Sequence, residues 1–209
     1  MADPRPAPMF IADARGLDFL NSVATPWGAE IEWLGDGRDL LAWLEPAGLV
    51  PADVAKAMRR DATPAALDAV ATQARALREW FRSFVVAHAG KPIEADALAE
   101  LGPLNRLLER DEAYGEIVAS RAGAPALRWR WNRRWRAPDD LLAPIAQVLS
   151  ELVCDADFTL VKNCEGPTCS MLFLDISKAH TRRWCSMAMC GNRAKQAAHR
   201  SRASDAAGR

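Results

Sequence analysis

The chain has 209 residues, enough for one compact domain or for one domain with a small appended module. Half of the residues are hydrophobic and 26% are charged, which argues against a disordered chain. No apolar run reaches the roughly 18 residues of a membrane-spanning helix, and MADPRPAPMF lacks the basic and apolar regions of a signal peptide. We therefore expect a cytoplasmic protein without a membrane partner, whose reduced, paired cysteines favour metal ligation over disulfides.

The charges are distributed unevenly although their sum is zero. Residues 176–209 contain eight basic residues and one acidic residue, whereas residues 1–175 contain 19 basic and 26 acidic residues. An acidic body with a basic end is typical of a tail that binds a polyanion. The other interpretation is a solvated helix face rich in arginine and lysine.

Most of the N-terminal part has the periodicity of helices. DGRDLLAWLEPAGLV predicts a short helix, and a second begins with Pro51 in its first turn. Apolar residues recur at helical spacing over 64–89, which predicts a long core helix capped by Thr63. Residues 94–110 predict one further helix or two short ones.

A β-hairpin is predicted from EAYGEIVAS and LRWRWNRRWR. The second run alternates, so that Leu127, Trp129, Trp131, Arg133 and Trp135 share one face and Arg128, Arg130, Asn132, Arg134 and Arg136 share the other. One interpretation is a strand with three core tryptophans and a solvated or acid-paired arginine face. The other is a surface for a polyanion or a small anionic ligand, bound by Arg128, Arg130 and Arg134. A helix over 138–154 follows.

Four cysteines near the C-terminus form two pairs. Cys164 and Cys169 enclose EGPT, Cys185 and Cys190 enclose SMAM, and fifteen residues separate the pairs. Four thiolates suit tetrahedral zinc, and a fourth cysteine fills the position that a catalytic zinc keeps open. A redox dithiol, unpaired structural thiols and replacement of one ligand by His180 remain alternatives.

The geometry expected around these cysteines is a knuckle, a hairpin and a helix, like a zinc ribbon or treble clef. Gly166 and Pro167 predict a tight turn in the first pair, and MLFLDISKAHTRRW predicts a short hairpin between the pairs. Ser186 is expected to cap a helix that begins near Met187. The fifth cysteine, Cys154, is expected to be an inert buried thiol in an apolar helix.

The C-terminal stretch CEGPTCSMLFLDISKAHTRRWCSMAMCGNRAKQAAHR resembles the CGNR zinc-finger family, whose motif stands here at 190–193. The N-terminal part is similar to the ABATE domain, found before this finger in predicted stress-induced bacterial transcription regulators. Residues 17–21 and 39–44 with Gly48 and Leu49 carry that similarity. The resemblance implies one structural zinc on all four cysteines, and a role in regulation or RNA binding.

The basic residues around the finger are candidates for nucleic-acid contacts, because arginine and lysine bind phosphates. DNA is favoured over RNA, since a helix could read bases in the major groove and this helix has no aromatic residue for base stacking. The candidates are Arg182, Arg183, Asn192, Arg193, Lys195, Arg200 and Arg202. The alternative is a structural finger that docks on its own acidic body or on another protein.

The sequence contains no recognisable catalytic motif, so we do not expect an enzyme. The predicted fold is α+β and predominantly α, with a mainly helical ABATE-like domain over 10–155 and a CGNR-type finger over 160–204. The expected function is transcription regulation through the basic C-terminal module. The N-terminal domain would serve as a sensor or dimerisation unit, with a second copy of the chain and a small anionic effector as candidate partners.

Overall fold

The computed structural model describes residues 5–120 and 125–207. Within these ranges the fold is α+β and predominantly helical, as predicted. The α-helices are α1 (Arg15–Leu20), α2 (Gly37–Leu44), α3 (Ala52–Asp61), α4 (Pro64–His88), α5 (Gly102–Leu108), α6 (Leu142–Asp155) and α7 (Asn192–Ala207). The strands are β1 (Val23–Ala24), β2 (Ile31–Glu32), β3 (Ala113–Ala119), β4 (Leu127–Arg133), β5 (Val161–Asn163) and β6 (Leu172–Leu174). They pair in sequence order as three antiparallel two-stranded sheets.

Helix α4 is the centre of the N-terminal core. The Thr63 hydroxyl accepts the Ala66 N–H at 3.2 Å and caps the helix, as its sequence predicts. Helix α2 crosses α4 at Gly37, where a Cβ atom would lie 2.3 Å from the Leu67 Cβ. A glycine is therefore required at this crossing, because any side chain would force the two helices apart.

A buried arginine on α4 holds the β1–β2 segment in place. Arg78 is 3% exposed and donates to Glu32 at 2.5 Å and to the Ser22 hydroxyl at 2.9 Å. Burial by itself raises the pKa of Glu32, but the bonds from Arg78 and the Leu34 N–H and the charges of Arg78 and Arg75 together outweigh it, so the pKa lies below its usual value. Arg78 thus holds both ends of the β1–β2 segment, whose loop contacts Thr168 and Ser170 beside the first cysteine pair.

The β3–β4 hairpin forms where the sequence predicts it, with Gly115 opposite Trp131 and Ile117 opposite Trp129. The expectation of three core tryptophans is wrong. Trp129 is 60% exposed and Trp131 is 72% exposed, while Trp135 is partly buried. No element of the described chain covers this face of the hairpin, so the alternation identified a shared face but not a buried one.

The C-terminal region continues the same hydrophobic core. Strands β5 and β6 pair with Val161 opposite Leu174, and the first cysteine pair lies in the turn between them. The predicted hairpin within 171–184 is therefore wrong, because β6 pairs with a strand that precedes the first knuckle. Phe173 is fully buried in this sheet.

Two further expectations require correction. Cys154 is exposed on α6 rather than buried. Its position near the end of the helix carries it away from the core, which α6 contacts through residues such as Val148 and Leu152. Ser186 precedes the second knuckle but its hydroxyl makes no capping bond.

Candidate metal centre

The first knuckle is a tight turn between β5 and β6. Cys169 donates its N–H to the Gly166 carbonyl at 3.0 Å, and Gly166 donates its own N–H to the Cys164 Sγ at 3.5 Å. A Cβ atom on Gly166 would lie 3.1 Å from both the Cys169 Cβ and the Cys190 Sγ. A side chain here would have to displace these neighbours by a few tenths of an ångström, because the second knuckle closes directly over the turn.

The second knuckle is a π-helical turn, Met187–Gly191, which leads into α7. The Ser186 carbonyl accepts the N–H groups of Cys190 and Gly191 at 3.0 and 3.1 Å. The backbone of Ser186, rather than its hydroxyl, therefore closes the turn that brings Cys190 back toward Cys185.

The four thiols converge on one point. Their Sγ atoms all lie within 4.8 Å of one another, with Cys169 and Cys185 3.9 Å apart and Cys185 and Cys190 3.7 Å apart. A tetrahedron with zinc–sulfur bonds of about 2.3 Å has edges of about 3.8 Å. A disulfide needs about 2.05 Å, so these cysteines are unpaired thiols arranged for one zinc ion with no open coordination position.

Hydrogen bonds among the thiols perturb their pKa values in opposite directions. The Cys169 and Cys185 thiols donate to Cys164 and hold its pKa well below the usual range. The same bonds raise the pKa of Cys169 to about 12 and also raise that of Cys185. Four thiolates this close repel one another, and a divalent cation is the group that stabilises them together.

Arg193, the last residue of the CGNR motif, faces the metal centre. Its Nη2 donates to the Cys190 Sγ at 3.0 Å and also to the Pro26 carbonyl in the β1–β2 loop. Four thiolates around Zn²⁺ carry a net charge of −2, which an adjacent guanidinium partly offsets. Arg193 therefore joins the zinc site to the part of the chain that precedes β5, which we call the N-terminal unit.

Arg182 makes a second connection of the same kind. Its guanidinium lies 4.4 Å above the Phe173 ring and donates to Asp13, to the Ile11 carbonyl and to the Cys185 carbonyl. With the bond to the Trp184 carbonyl, these partners engage four of its five N–H donors. Arg182 is thus a structural clamp between the finger and the segment before α1.

Asp175 organises the loop between β6 and the second knuckle. It is fully buried and accepts bonds from Lys162 Nζ at 2.6 Å, from Ser177 and from the Arg182 N–H. Burial by itself raises the pKa of this carboxyl, but these bonds outweigh it and hold the pKa well below its usual range. His180 lies in this loop, with its Nδ1 3.1 Å from the Asp175 carbonyl, and is not a metal ligand here.

Asn21 anchors β6 to the N-terminal unit, a role that the sequence analysis missed. Its side chain donates to the Leu172 carbonyl at 2.8 Å and accepts the Leu172 N–H at 2.9 Å, so it pairs like a strand residue. It is 3% exposed. The only signal in the sequence is an asparagine directly after the apolar run of α1.

Helix α7 carries the remaining basic candidates. Asn192, Lys195 and Arg200 are exposed, and the helix continues directly from the π-helical turn that precedes it. The side chain of Arg202 lies outside the described residues. Arg183 is 59% exposed and pairs with Glu165 at 2.5 Å.

The arginine face of the β3–β4 hairpin is largely paired with acids. Arg130 contacts Glu116 at 2.6 Å, and Arg134 lies 3.9 Å from Glu112 and stacks on Tyr114. Arg128 is exposed. The three arginines proposed for an anionic ligand are therefore not a cluster of free cations, which weighs against a ligand there.

Comparison with known families agrees with this architecture. The ABATE profile, described as "Putative stress-induced transcription regulator", matches residues 13–156, and the CGNR zinc finger profile matches residues 161–203. The chain therefore belongs to the ABATE family and ends in a CGNR zinc finger. No curated protein matches it. Among the described residues, no helix is long and apolar enough to cross a membrane.

Proposed function

We propose that this protein is a cytoplasmic transcription regulator that binds DNA through α7 and acts by binding rather than by catalysis. The observation that carries the proposal is the position of α7, which extends from the zinc centre with Lys195 and Arg200 exposed. The family description supports a role in regulation.

The geometry favours DNA over RNA. An α-helix fits the major groove of B-DNA, whereas the major groove of an RNA helix is too deep and narrow for side chains to read. Asn192, Lys195 and Arg200 lie on α7, the helix that follows the second knuckle. The zinc ion would hold that knuckle rigid, and it has no open position for chemistry of its own.

The structure reduces the set of arginines available for phosphate contacts. Arg182 and Arg193 are bound to the N-terminal unit and to Cys185 and Cys190, and Arg183 has an acidic partner. We therefore assign DNA contacts to Asn192, Lys195 and Arg200, and a structural role to Arg182 and Arg193. The alternative function was docking of the finger on its own chain. Arg182 and Arg193 make contacts of that kind, and these contacts leave Asn192, Lys195 and Arg200 available for DNA.

The test is the salt dependence of binding to a random-sequence DNA duplex, measured by fluorescence anisotropy. Each lost phosphate contact lowers the slope of log affinity against log salt by about 0.9, so Lys195→Ala with Arg200→Ala should lower it by nearly 2. Arg106→Ala, an exposed arginine on α5, is the matched control and should leave the slope unchanged.

Arg193→Ala separates the two roles. If Arg193 is structural, this variant retains zinc about 10- to 100-fold less tightly, as a competing chelator would show. If Arg193→Ala keeps its zinc but binds DNA more weakly, Arg193 contacts DNA and is not structural. No binding by the wild-type protein at low salt, or a slope that the double variant leaves unchanged, contradicts the proposed function.

A further inference from the structure

The β3–β4 hairpin presents four large apolar side chains on one face. Ile117, Leu127, Trp129 and Trp131 are between 60% and 72% exposed, and the register places them together. The Trp129 ring lies directly on Gly115, where a Cβ atom would come within 1.7 Å of it. We refer to these four side chains as the apolar hairpin face.

Such a face is costly in an isolated chain. A two-stranded hairpin is marginally stable in water, and a contiguous apolar patch of several hundred Å² marks an interaction site. At their exposed fractions, the four side chains leave on the order of 500 Å² of apolar surface. This is more than half of the roughly 800 Å² that each partner contributes to a stable protein interface.

The face also continues beyond the strands. Next to Trp131 it opens into a cleft of about 640 Å³ between the base of the hairpin and the turn that joins α2 to α3. Leu49, Val50 and Pro51 form the apolar part of its wall. The cleft therefore extends the surface available to a partner beyond the four side chains.

The distribution of charge favours another copy of the chain as the partner. By alternation, Arg128 and Arg130 point to the opposite side of the hairpin. The one charged strand residue on the apolar side is Arg133, which lies at the base and is 10% exposed in a 2.5 Å pair with Asp111. A two-fold interface brings a surface against itself, so it must not place like charges together. Among the described residues, this face and its cleft meet that condition, because Glu45 on the cleft wall is paired with Arg59 at 3.0 Å, and they offer no unpaired cation to a nucleic-acid backbone.

We propose that the apolar hairpin face is the two-fold interface of a homodimer. The inference does not depend on DNA binding. If both hold, the dimer presents two copies of α7, and its DNA site has two related half-sites.

The test is the mass in solution, measured by light scattering across a dilution series. We expect twice the monomer mass of 22.9 kDa for the wild-type protein. Leu127→Glu and Trp131→Glu should each raise the dissociation constant about a hundredfold or more, because each change acts twice in the dimer. Leu98→Glu is the matched control, since Leu98 is 64% exposed on a different element and should leave the mass unchanged.

Circular dichroism of each variant checks that the fold is retained. If one of the two hairpin variants misfolds, the other still tests the interface. A wild-type protein of 22.9 kDa at every concentration overturns the proposal. A dimer that survives both hairpin substitutions also overturns it. A monomeric wild-type protein that loses single-stranded DNA binding on Trp131→Ala would instead identify a base-stacking surface and overturn the proposal too.

Discussion

Two of the three hairpins among the described residues, β3–β4 and β5–β6, bury their side chains in opposite ways. Strands β3 and β4 have seven residues each, yet Trp129 and Trp131 are exposed. Strands β5 and β6 have three residues each, yet Phe173 and Leu172 are almost fully buried. Contacts beyond its own hydrogen bonds therefore stabilise the β5–β6 hairpin. The cysteine centre lies in its turn, and residues before α1 and after it bind the edge of β6.

This difference shows how the finger becomes part of the larger domain. Leu174 donates its N–H to the Ala12 carbonyl at 2.9 Å, and Asn21 pairs with Leu172. Arg182 and Arg193 add bonds from the finger to the segments before α1 and after β1. The zinc centre therefore stabilises a junction between the two regions as well as the small module around it.

The largest expected effect is the difference in stability loss between truncating an aromatic residue of β6 and truncating one of β4. Phe173→Ala removes a buried ring and should cost about 4 kcal/mol of unfolding free energy. Trp131→Ala removes an exposed ring and should change the stability of the monomer by less than about 0.5 kcal/mol. Urea unfolding of both variants at high dilution makes the measurement, and equal losses would mean that the comparison between the hairpins is wrong.

The next effect concerns the anchor on β6. Asn21→Ala leaves the Leu172 N–H and carbonyl buried without partners, at a cost of about 1 to 3 kcal/mol for each. We expect a loss of about 2 to 5 kcal/mol, with faster amide hydrogen exchange along β6. Asn105→Ala, an exposed asparagine on α5, should lose less than about 0.5 kcal/mol. If the two variants are equally stable, β6 does not depend on this anchor.

A smaller effect depends on pH. Asp18 accepts the Ala12 N–H at 3.0 Å, next to the carbonyl that binds Leu174, and burial raises its pKa from 3.8 to about 6. The raised pKa stabilises the fold below the unfolded pKa of 3.8, and this contribution is lost as the pH rises through about 6. Ionised Asp18 therefore opposes folding at pH 8 by about 3 kcal/mol, from the rise in its pKa from 3.8 to about 6.

Asp18→Asn keeps an oxygen for the Ala12 N–H and removes the charge. The variant should be about 3 kcal/mol more stable than the wild type at about pH 8 and nearly equal to it at about pH 4. Urea unfolding at the two pH values tests this. Asp96→Asn, at an exposed carboxyl, supplies the baseline. A stability difference that is the same at both pH values contradicts the role given to Asp18.

Local patterns in the sequence predicted the elements that local chemistry determines. The periodicity over 64–89 and the Thr63 cap predicted α4, and the cysteine spacing predicted the metal centre, because each depends on residues close in the chain. The alternation at 127–135 showed which side chains share a face. It could not show that the face lacks a cover, since that depends on which elements pack nearby.

Long-range pairing was beyond the same patterns. Strand β6 pairs with residues before the first knuckle, although the apolar residues after it predicted a hairpin further along. The composition showed a basic C-terminal region but not that Arg182 and Arg193 bind carbonyls and a cysteine sulfur. Arginine side chains are long, so their partners are set by the tertiary fold.

The central claim is that one zinc ion stabilises both the finger and its junction with the N-terminal unit. The most direct measurement is amide hydrogen exchange of the purified protein before and after zinc removal, with the zinc content determined in parallel. We predict one equivalent of zinc, and loss of protection after removal over 161–191 and α1 but not over α4, because structural zinc supplies folding free energy. Cys185→Ser should reproduce that pattern and Cys154→Ser should not. A protein with far less than one equivalent of zinc, or with unchanged protection after its removal, would contradict the account.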